Sequence, residues 1–148
     1  MIVYRYKAYD YKGKLQTGNL FVPSEDEAVA FLLRHNLTPI EVKLLPQSFF
    51  NQFLFKLFFR ITFSQKLYLI RSLYLILKSG LTLDKGLEVL TREAKGGIKD
   101  FLFYLTYNLQ KGESLYRTFA AFPQVFSQVE VETIKAGEVS GNLVGNLE

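Results

Sequence analysis

The chain has 148 residues, 49% of them hydrophobic, which is enough to bury the core of one ordinary domain or of two small ones. The absence of cysteine excludes a disulfide framework, thiolate metal sites and a cysteine nucleophile. A single histidine argues against an imidazole-rich metal centre. The chain's net charge of +4 is too small to indicate nucleic-acid binding by itself. Its longest uncharged stretches, 44–55 and 118–129, are shorter than the roughly 20 apolar residues of a membrane-spanning helix. We therefore expect a chain without a membrane span, located in the cytosol.

Residues 1–43 are predicted to form a small ββαβ module. Three segments have the β-branched and aromatic composition of strands: 2–9, 15–22 and 38–42. Gly13 supplies the positive φ of a hairpin turn between the first two strands. Ser24 and Glu27 have the spacing of a capping box, which predicts a helix that begins after Ser24 and ends near Asn36. Such a short segment buries only a thin core, so we expect it to be an appendage.

Residues 44–63 form a phenylalanine-rich, basic segment. Every charged residue between Glu41 and Asp84 is basic, and the apolar residues of the segment follow helical spacing. One interpretation is a linker helix packed on the domain that follows it. The other is an amphipathic helix at a bilayer surface, with the aromatic rings inserted and the basic groups among the lipid headgroups. The candidate membrane-surface residues are Phe49, Phe50, Phe53, Lys56, Phe58 and Arg60.

Residues 64–148 are predicted to be entirely helical and to form an antiparallel, up-down bundle of six helices. The fold class predicted for the whole chain is therefore mainly α. The helices are expected to begin at Ser64, Thr82, Ile98, Ser114, Ser127 and Asn142, with glycine or proline at most of their ends. Ser127 and Glu130 have the spacing of a second capping box. The first helix is apolar on two faces, so we expect it at the centre of the bundle. The sixth has barely begun when the chain stops at Glu148, so we expect a truncated part of a longer protein.

Catalytic motifs are absent from the sequence. There is no phosphate-binding G-x-x-x-x-G-K-[ST] loop, and Ser140 does not lie in a G-x-S-x-G nucleophile elbow. His35 is expected at a helix end rather than in a catalytic site. Glu130 and Glu132 are two residues apart on a predicted helix, where side chains point away from each other. We therefore predict that the chain is not an enzyme.

The C-terminal half carries a set of short motifs. They are Gly112-Glu113-Ser114-Leu115, then Pro123 followed by Phe126, then Ala136-Gly137-Glu138-Val139-Ser140-Gly141-Asn142-Leu143, together with Lys78-Ser79-Gly80-Leu81-Thr82-Leu83. This set resembles the type II secretion system F and type IV pilus inner-membrane platform family, which carries G-x-S-L, P-x-x-F and A-G-E-x-S-G-x-L in each of two cytoplasmic repeats. The small β-rich segment before the first repeat of that family is similar to Tyr4–Asp10, Gly13, Gly18 and Leu37–Ile40.

The resemblance implies a non-enzymatic scaffold on the cytoplasmic face of the bacterial inner membrane, within the first of two repeats of a multi-pass membrane protein. Its implied role is to couple a hexameric assembly ATPase to pilin or pseudopilin assembly. The implied partners are that ATPase, other inner-membrane assembly proteins, pilin or pseudopilin, a second copy of the chain and the membrane surface, but no nucleic acid. No cofactor is implied, although a carboxylate-bound divalent cation stays open. The alternative is a soluble cytosolic module that recognises nucleic acid or acidic ligands through residues 43–78.

The residues of these motifs are the candidate site. Those with expected structural roles are Gly80, Gly112, Ser114, Pro123, Phe126, Gly137, Ser140, Gly141 and Leu143. Gly137 is expected to let another backbone approach closely, and Gly141 to turn the chain into the last helix. Glu138 either caps that last helix or faces a partner or a cation, and it is a candidate for partner binding together with Glu132. Gly86 departs from the family pattern, in which alanine is more usual, and is expected to weaken its helix by up to about 1 kcal/mol.

Overall fold

The computed structural model describes residues 2–45 and 61–147, and the chain divides into two compact units between Phe59 and Arg60. The basic, phenylalanine-rich segment lies almost wholly outside the described residues. This holds for every candidate membrane-surface residue: Phe49, Phe50, Phe53, Lys56, Phe58 and Arg60. Their role at a membrane therefore stays a prediction.

The N-terminal unit is a three-stranded antiparallel sheet with one helix. Its elements are β1 (Val3–Tyr9), β2 (Leu15–Phe21), α1 (Glu25–Arg34) and β3 (Thr38–Leu44). The strand order is β2-β1-β3, so the first strand lies in the middle. Successive side chains of β1 point to opposite faces of the sheet, so Tyr4, Tyr6 and Ala8 are buried and the residues between them are exposed. These side chains share the core of the unit with Phe31 and Leu32 of α1, which are fully buried.

Local signals predict the ends of α1 correctly. The side chain of Ser24 accepts a hydrogen bond of 3.2 Å from the backbone N–H of Glu27, and Asn36 follows the helix with a φ of +58°. His35 is the C-cap residue, and its Nδ1 lies 2.8 Å from the carbonyl oxygen of Phe31. The two rings also lie against each other, with centroids 4.1 Å apart. The single histidine therefore has a structural position at a helix end.

Six helices occupy residues 61–147, the described part of the C-terminal unit, and no strand occurs in that range. They are α2 (Phe63–Lys78), α3 (Leu83–Glu93), α4 (Gly97–Gln110), α5 (Leu115–Ala120), α6 (Gln128–Ser140) and α7 (Leu143–Leu147). The prediction of a mainly α chain is confirmed. Each of these helices contacts the next one in sequence, and α7 also contacts α2.

The first of these helices begins earlier than predicted. Its N-cap is Thr62 and not Ser64: Thr62 Oγ1 accepts a hydrogen bond of 3.3 Å from the backbone N–H of Gln65. In return, Gln65 Oε1 accepts one of 3.0 Å from the backbone N–H of Thr62. This reciprocal arrangement needs a side-chain acceptor three residues after the cap, which Thr62 finds in Gln65 and Ser64 would not find in Leu67. Gly80 ends the helix with a φ of +74°, as expected.

The prediction that the first helix lies at the centre of the unit is wrong. Only Leu69 and Leu73 of α2 are buried, whereas α4 buries all but one of its residues from 98 to 107. An apolar face is buried only if another element covers it, and among the described residues no helix covers the outer face of α2. Phe63 and Leu67 therefore remain exposed, and α4 is the central helix.

Phe101 of α4 is the middle of an aromatic cluster. Its ring centroid lies 5.3 Å from that of Phe119, 5.1 Å from that of Phe122 and 5.1 Å from that of Phe126. The first two contacts are edge-to-face, a favourable geometry for aromatic pairs. Pro123 follows α5, and the backbone N–H of Phe126 donates to the carbonyl oxygen of Phe122 over 2.9 Å. This turn explains the P-x-x-F motif, because it returns the Phe126 ring to the core.

Gly86 allows α3 to approach α2 closely. A Cβ added to this buried glycine would lie 2.7 Å from Cδ1 and 2.8 Å from Cγ1 of Ile76. Isoleucine is β-branched and has little rotamer freedom in a helix, so it would not move aside easily. The glycine therefore weakens the helix propensity of α3 but permits close packing between the two helices.

Candidate functional site

The motif A-G-E-V-S-G-N-L forms the corner between α6 and α7. Gly141 has a φ of +70°, the left-handed conformation that ends α6. The hydroxyl of Ser140 donates to the carbonyl oxygen of Gly137 over 3.3 Å and accepts from the backbone N–H of Asn142 over 3.4 Å. Half-buried Leu143 then opens α7, which packs on α6 and α2. The structure thus brings Gly137, Ser140, Gly141 and Leu143 together in one corner.

Gly137 lies where α7 crosses α6. It is buried within α6, and a Cβ added there would lie 3.1 Å from the Cα of Leu143 and 3.1 Å from the Cβ of Asn146. The side-chain amide of Asn146 also donates to the carbonyl oxygen of Thr133 over 3.4 Å, which holds α7 on the same face of α6. The close backbone approach expected of Gly137 is therefore present, where α7 crosses α6.

Glu138 caps a helix that begins more than 20 residues earlier in the chain. Its Oε1 accepts a hydrogen bond of 2.8 Å from the backbone N–H of Leu115, and its Oε2 accepts one of 3.1 Å from that of Tyr116. These two residues open α5, where N–H groups have no partner within the helix and the helix dipole favours a negative charge. The expectation that Glu138 caps the helix after Gly141 is wrong. Helical side chains lean toward the N-terminus of their own helix, so Glu138 points back along α6 to the neighbouring α5.

Ser114 occupies the N-cap position of α5 without acting as its cap. Its backbone is extended (φ −74°, ψ 149°), but its side chain makes no capping hydrogen bond, and its buried Oγ has no hydrogen-bond partner within the described part of the chain. Gly112 ends α4 with a φ of +85°, and the backbone N–H of Glu113 donates to the carbonyl oxygen of Asn108 over 2.9 Å. This turn brings Ser114 to the start of α5. The motifs G-E-S-L and A-G-E are therefore the two sides of one contact, made by Glu138.

Glu130 joins α6 to α2. It forms the predicted capping box with Ser127, whose backbone N–H and hydroxyl donate to Glu130 Oε2 over 2.7 Å and 2.8 Å. The ammonium of Lys66 lies 2.8 Å from Oε1, an ion pair that no sequence pattern predicts because its members are 64 residues apart. Burial by itself would raise the pKa of Glu130, but the hydrogen bonds from Lys66 and Ser127 outweigh burial and hold the pKa below its ordinary value.

Glu132 lies on the exposed face of α6. Its carboxylate is 3.5 Å from the ammonium of Lys135, and an ion pair this exposed contributes little to stability. Together with Val129 and with Asn146 of α7, it lines a shallow groove that is open to solvent. A partner at Glu138 would have to compete with two hydrogen bonds within the chain, whereas Glu132 is accessible. Partner binding by either residue stays a prediction.

The carboxylates near the motifs are arranged to join helices. Within residues 2–45 and 61–147, no group of three or more histidine, aspartate or glutamate side chains could hold a metal ion. Glu130 and Glu138 instead accept charge-assisted hydrogen bonds, which are stronger than neutral ones. In the same ranges, no helix combines the length and the apolar composition needed to cross a bilayer.

The chain matches two protein-family models. Residues 1–43 match the model described as type II secretion system protein F, N-terminal domain, and residues 69–148 match the one described as type II secretion system (T2SS), protein F. The second match covers more than half of the chain and includes both sides of the Glu138 contact. No curated protein matches the chain. The resemblance carried by the motifs is confirmed, and the chain belongs to the type II secretion system protein F family.

Proposed function

We propose that this chain is a non-enzymatic scaffold in the cytoplasmic part of an inner-membrane platform, and that it couples a hexameric assembly ATPase to pilin or pseudopilin assembly. Family membership supports a platform role in a secretion or pilus machine in general. The observation that carries the coupling role is the contact between Glu138 and the start of α5, because it joins the two most characteristic motifs of the chain. The family match does not favour a soluble module that binds nucleic acid or acidic ligands through residues 43–78.

A scaffold that transmits force needs helices that move together. Three contacts join helices of the C-terminal unit in a way that would allow this. Glu138 holds the start of α5 to α6 through two charge-assisted hydrogen bonds. The ion pair between Lys66 and Glu130 joins α2 to α6, and α7 packs against Gly137. Because packed protein interiors are stiff, a displacement of one helix passes to the others. We propose on this basis that the six helices act as one bundle, the first of two family repeats.

The proposed partners are the ATPase, other inner-membrane assembly proteins, pilin or pseudopilin, and a second copy of the chain. The segment 44–63 is proposed to bring the chain to the membrane surface, where each basic residue contributes about 1 kcal/mol of attraction to anionic lipid. Co-sedimentation of the chain with vesicles that contain or lack anionic lipid tests this interaction. Equal binding to both kinds of vesicle, or binding to neither, would contradict it. No cofactor is proposed.

The coupling role is tested in cells that need the full-length protein for secretion or piliation. Glu138→Gln removes the charge of the side chain but keeps one acceptor oxygen, so it perturbs the fold less than alanine. We expect a normal protein level, together with a loss of secreted substrate or of surface pili. Glu88→Gln is the matched control, because Glu88 forms an exposed ion pair with Arg92 on the surface of α3. Wild-type secretion or piliation by the Glu138→Gln protein would contradict coupling through this contact.

Binding of the ATPase is tested separately with purified components. The fluorescence anisotropy of the labelled 148-residue chain should rise when the hexameric ATPase is added. If the anisotropy does not change at any ATPase concentration, the ATPase is not a direct partner of this part of the protein. Coupling would then have to involve another component of the machine.

A further inference from the structure

A row of large α2 side chains is exposed along the length of the helix. Phe63, Leu67, Arg71 and Leu75 are four residues apart, and the exposed fractions of the three apolar members are 75%, 57% and 53%. Tyr68 lies beside the row and is 55% exposed. Side chains four residues apart form a ridge, the unit that packs into the groove of a second helix. We call these five residues the α2 ridge.

The opposite face of α2 is held in place. Leu69 and Leu73 are buried, and the helix packs on α3 and α7. Lys66 forms its ion pair with Glu130 of α6 at 2.8 Å. The α2 ridge therefore belongs to an anchored helix and can meet a partner without rearrangement of the backbone.

The charge on the exposed face of α2 has one sign. The helix contains no aspartate or glutamate, and its exposed cations are Arg71 and Lys78. The ammonium of Lys78 donates to the hydroxyl of Tyr74 over 2.7 Å, which keeps it near the C-terminal end of the ridge. Arg71 lies in the middle of the ridge, and no carboxylate in residues 2–45 or 61–147 forms an ion pair with it. The ridge thus combines large apolar side chains with a central guanidinium.

We propose that the α2 ridge binds an amphipathic helix of a partner protein that carries a carboxylate opposite Arg71. A row of large apolar side chains fits the groove between the apolar side chains of a second helix. Aromatic residues and arginine are enriched at protein interfaces and contribute a large share of their binding energy. A carboxylate matches the central guanidinium best, because it accepts two of its N–H groups at once. The inference does not depend on the coupling role proposed above.

A lipid surface and a second copy of the ridge both fit less well. A helix that lies on a bilayer inserts a continuous apolar face and keeps its basic residues at the margins of that face. Arg71 lies between Leu67 and Leu75, so inserting the two leucines would bring the guanidinium into the hydrocarbon. Two copies of the ridge packed on each other would bring like charges together, which opposes association.

Site-specific photo-cross-linking of the full-length protein, in the cells that make it, tests this inference. A benzophenone amino acid replaces Leu67 or Leu75 on the ridge. As a control it replaces Val89 of α3, which is 60% exposed. We expect the ridge positions, and not the control position, to cross-link to one partner segment that has helical spacing of apolar residues and a carboxylate. Arg71→Glu should lower the yield by about tenfold or more, and Arg71→Lys by less, because lysine keeps the charge but not the paired N–H geometry.

A charge exchange completes the test. Changing the carboxylate of the cross-linked segment to lysine should restore cross-linking to the Arg71→Glu protein. The inference is overturned by cross-links to this chain itself or to a second copy, to lipid alone, or to a segment without a carboxylate. It is equally overturned if ridge and control positions cross-link with equal yield, if the ridge gives no cross-link, or if the exchange restores nothing. None of these outcomes depends on ATPase coupling, so failure of the coupling role would be seen separately.

Discussion

The carboxylate of Glu138 accepts a hydrogen bond of 2.8 Å from the backbone N–H of Leu115, which lies 23 residues earlier in the chain. Leu115 opens a helix whose own N-cap residue, Ser114, makes no capping hydrogen bond. A side chain near the end of one helix therefore caps the start of another. Because α5 has only six residues and isolated short helices are unstable, this cap and the packing of α5 replace the stability that its length cannot supply.

Replacing Glu138 by alanine should destabilise the chain by about 1–3 kcal/mol, because two part-buried N–H groups lose their acceptor. Chemical denaturation of the 148-residue chain measures this loss. Glu88→Ala is the control: it breaks an exposed pair with Arg92 and should change the free energy of unfolding by less than about 0.5 kcal/mol. If both variants unfold at the same denaturant concentration, Glu138 does not cap α5, and partner binding becomes the better account of this residue.

Gly137→Ala should also destabilise the chain. The added Cβ would lie 3.1 Å from the Cα of Leu143, and a backbone atom cannot move aside as easily as the end of a side chain. Overpacking destabilises by about 1–3 kcal/mol, and the higher helix propensity of alanine offsets about 1 kcal/mol of this. We therefore expect denaturant titrations to show a free energy of unfolding lower by up to about 2 kcal/mol. Ala136→Gly, at the exposed neighbouring position, is the control for propensity alone. A Gly137→Ala chain more stable than the wild type would show that α7 does not pack against Gly137 in solution.

Substitutions at Gly141 isolate the effect of backbone conformation from that of packing, because nothing lies within 4 Å of a Cβ added there. Its φ of +70° should make Gly141→Ala cost about 1–2 kcal/mol. Asparagine adopts this left-handed conformation more readily than alanine, so Gly141→Asn should be less destabilising. Thermal melts of the two variants rank them. Equal losses would mean that the effect does not come from the backbone conformation at Gly141.

The ion pair between Lys66 and Glu130 should make stability depend on pH in the acid range. The pKa of Glu130 in the folded chain lies below its ordinary value of 4.5. The contribution of its charge is therefore complete above about pH 4.5 and is lost as the pH falls through the folded pKa. Glu130→Gln cannot lose a charge, so its deficit in free energy of unfolding should be largest near pH 7 and shrink in acid. Urea titrations of both chains over this range measure the deficit, and a deficit that stays constant would rule out the ion pair as its source.

The local features of the fold are predictable from the sequence, because interactions within about four residues decide them. The capping box of Ser127 and Glu130 and the left-handed glycines Gly80 and Gly141 all occur as expected. The error at the start of α2 is local too, since the acceptor that selects Thr62 as the cap is Gln65. The motifs also identified the family, because their spacing is preserved in the chain whatever the tertiary packing.

Only the tertiary structure decided which groups these side chains meet. The sequence shows that α2 is apolar on two faces, but the positions of α3 and α7 determine that Leu69 is buried and Leu67 is exposed. It shows a glutamate in the A-G-E motif, but only the packing of α6 beside α5 brings Glu138 to Leu115. The physical reason is the same in both cases. The residue type at a position fixes the chemistry of its side chain, whereas the group that the side chain contacts depends on how elements far apart in the chain pack together.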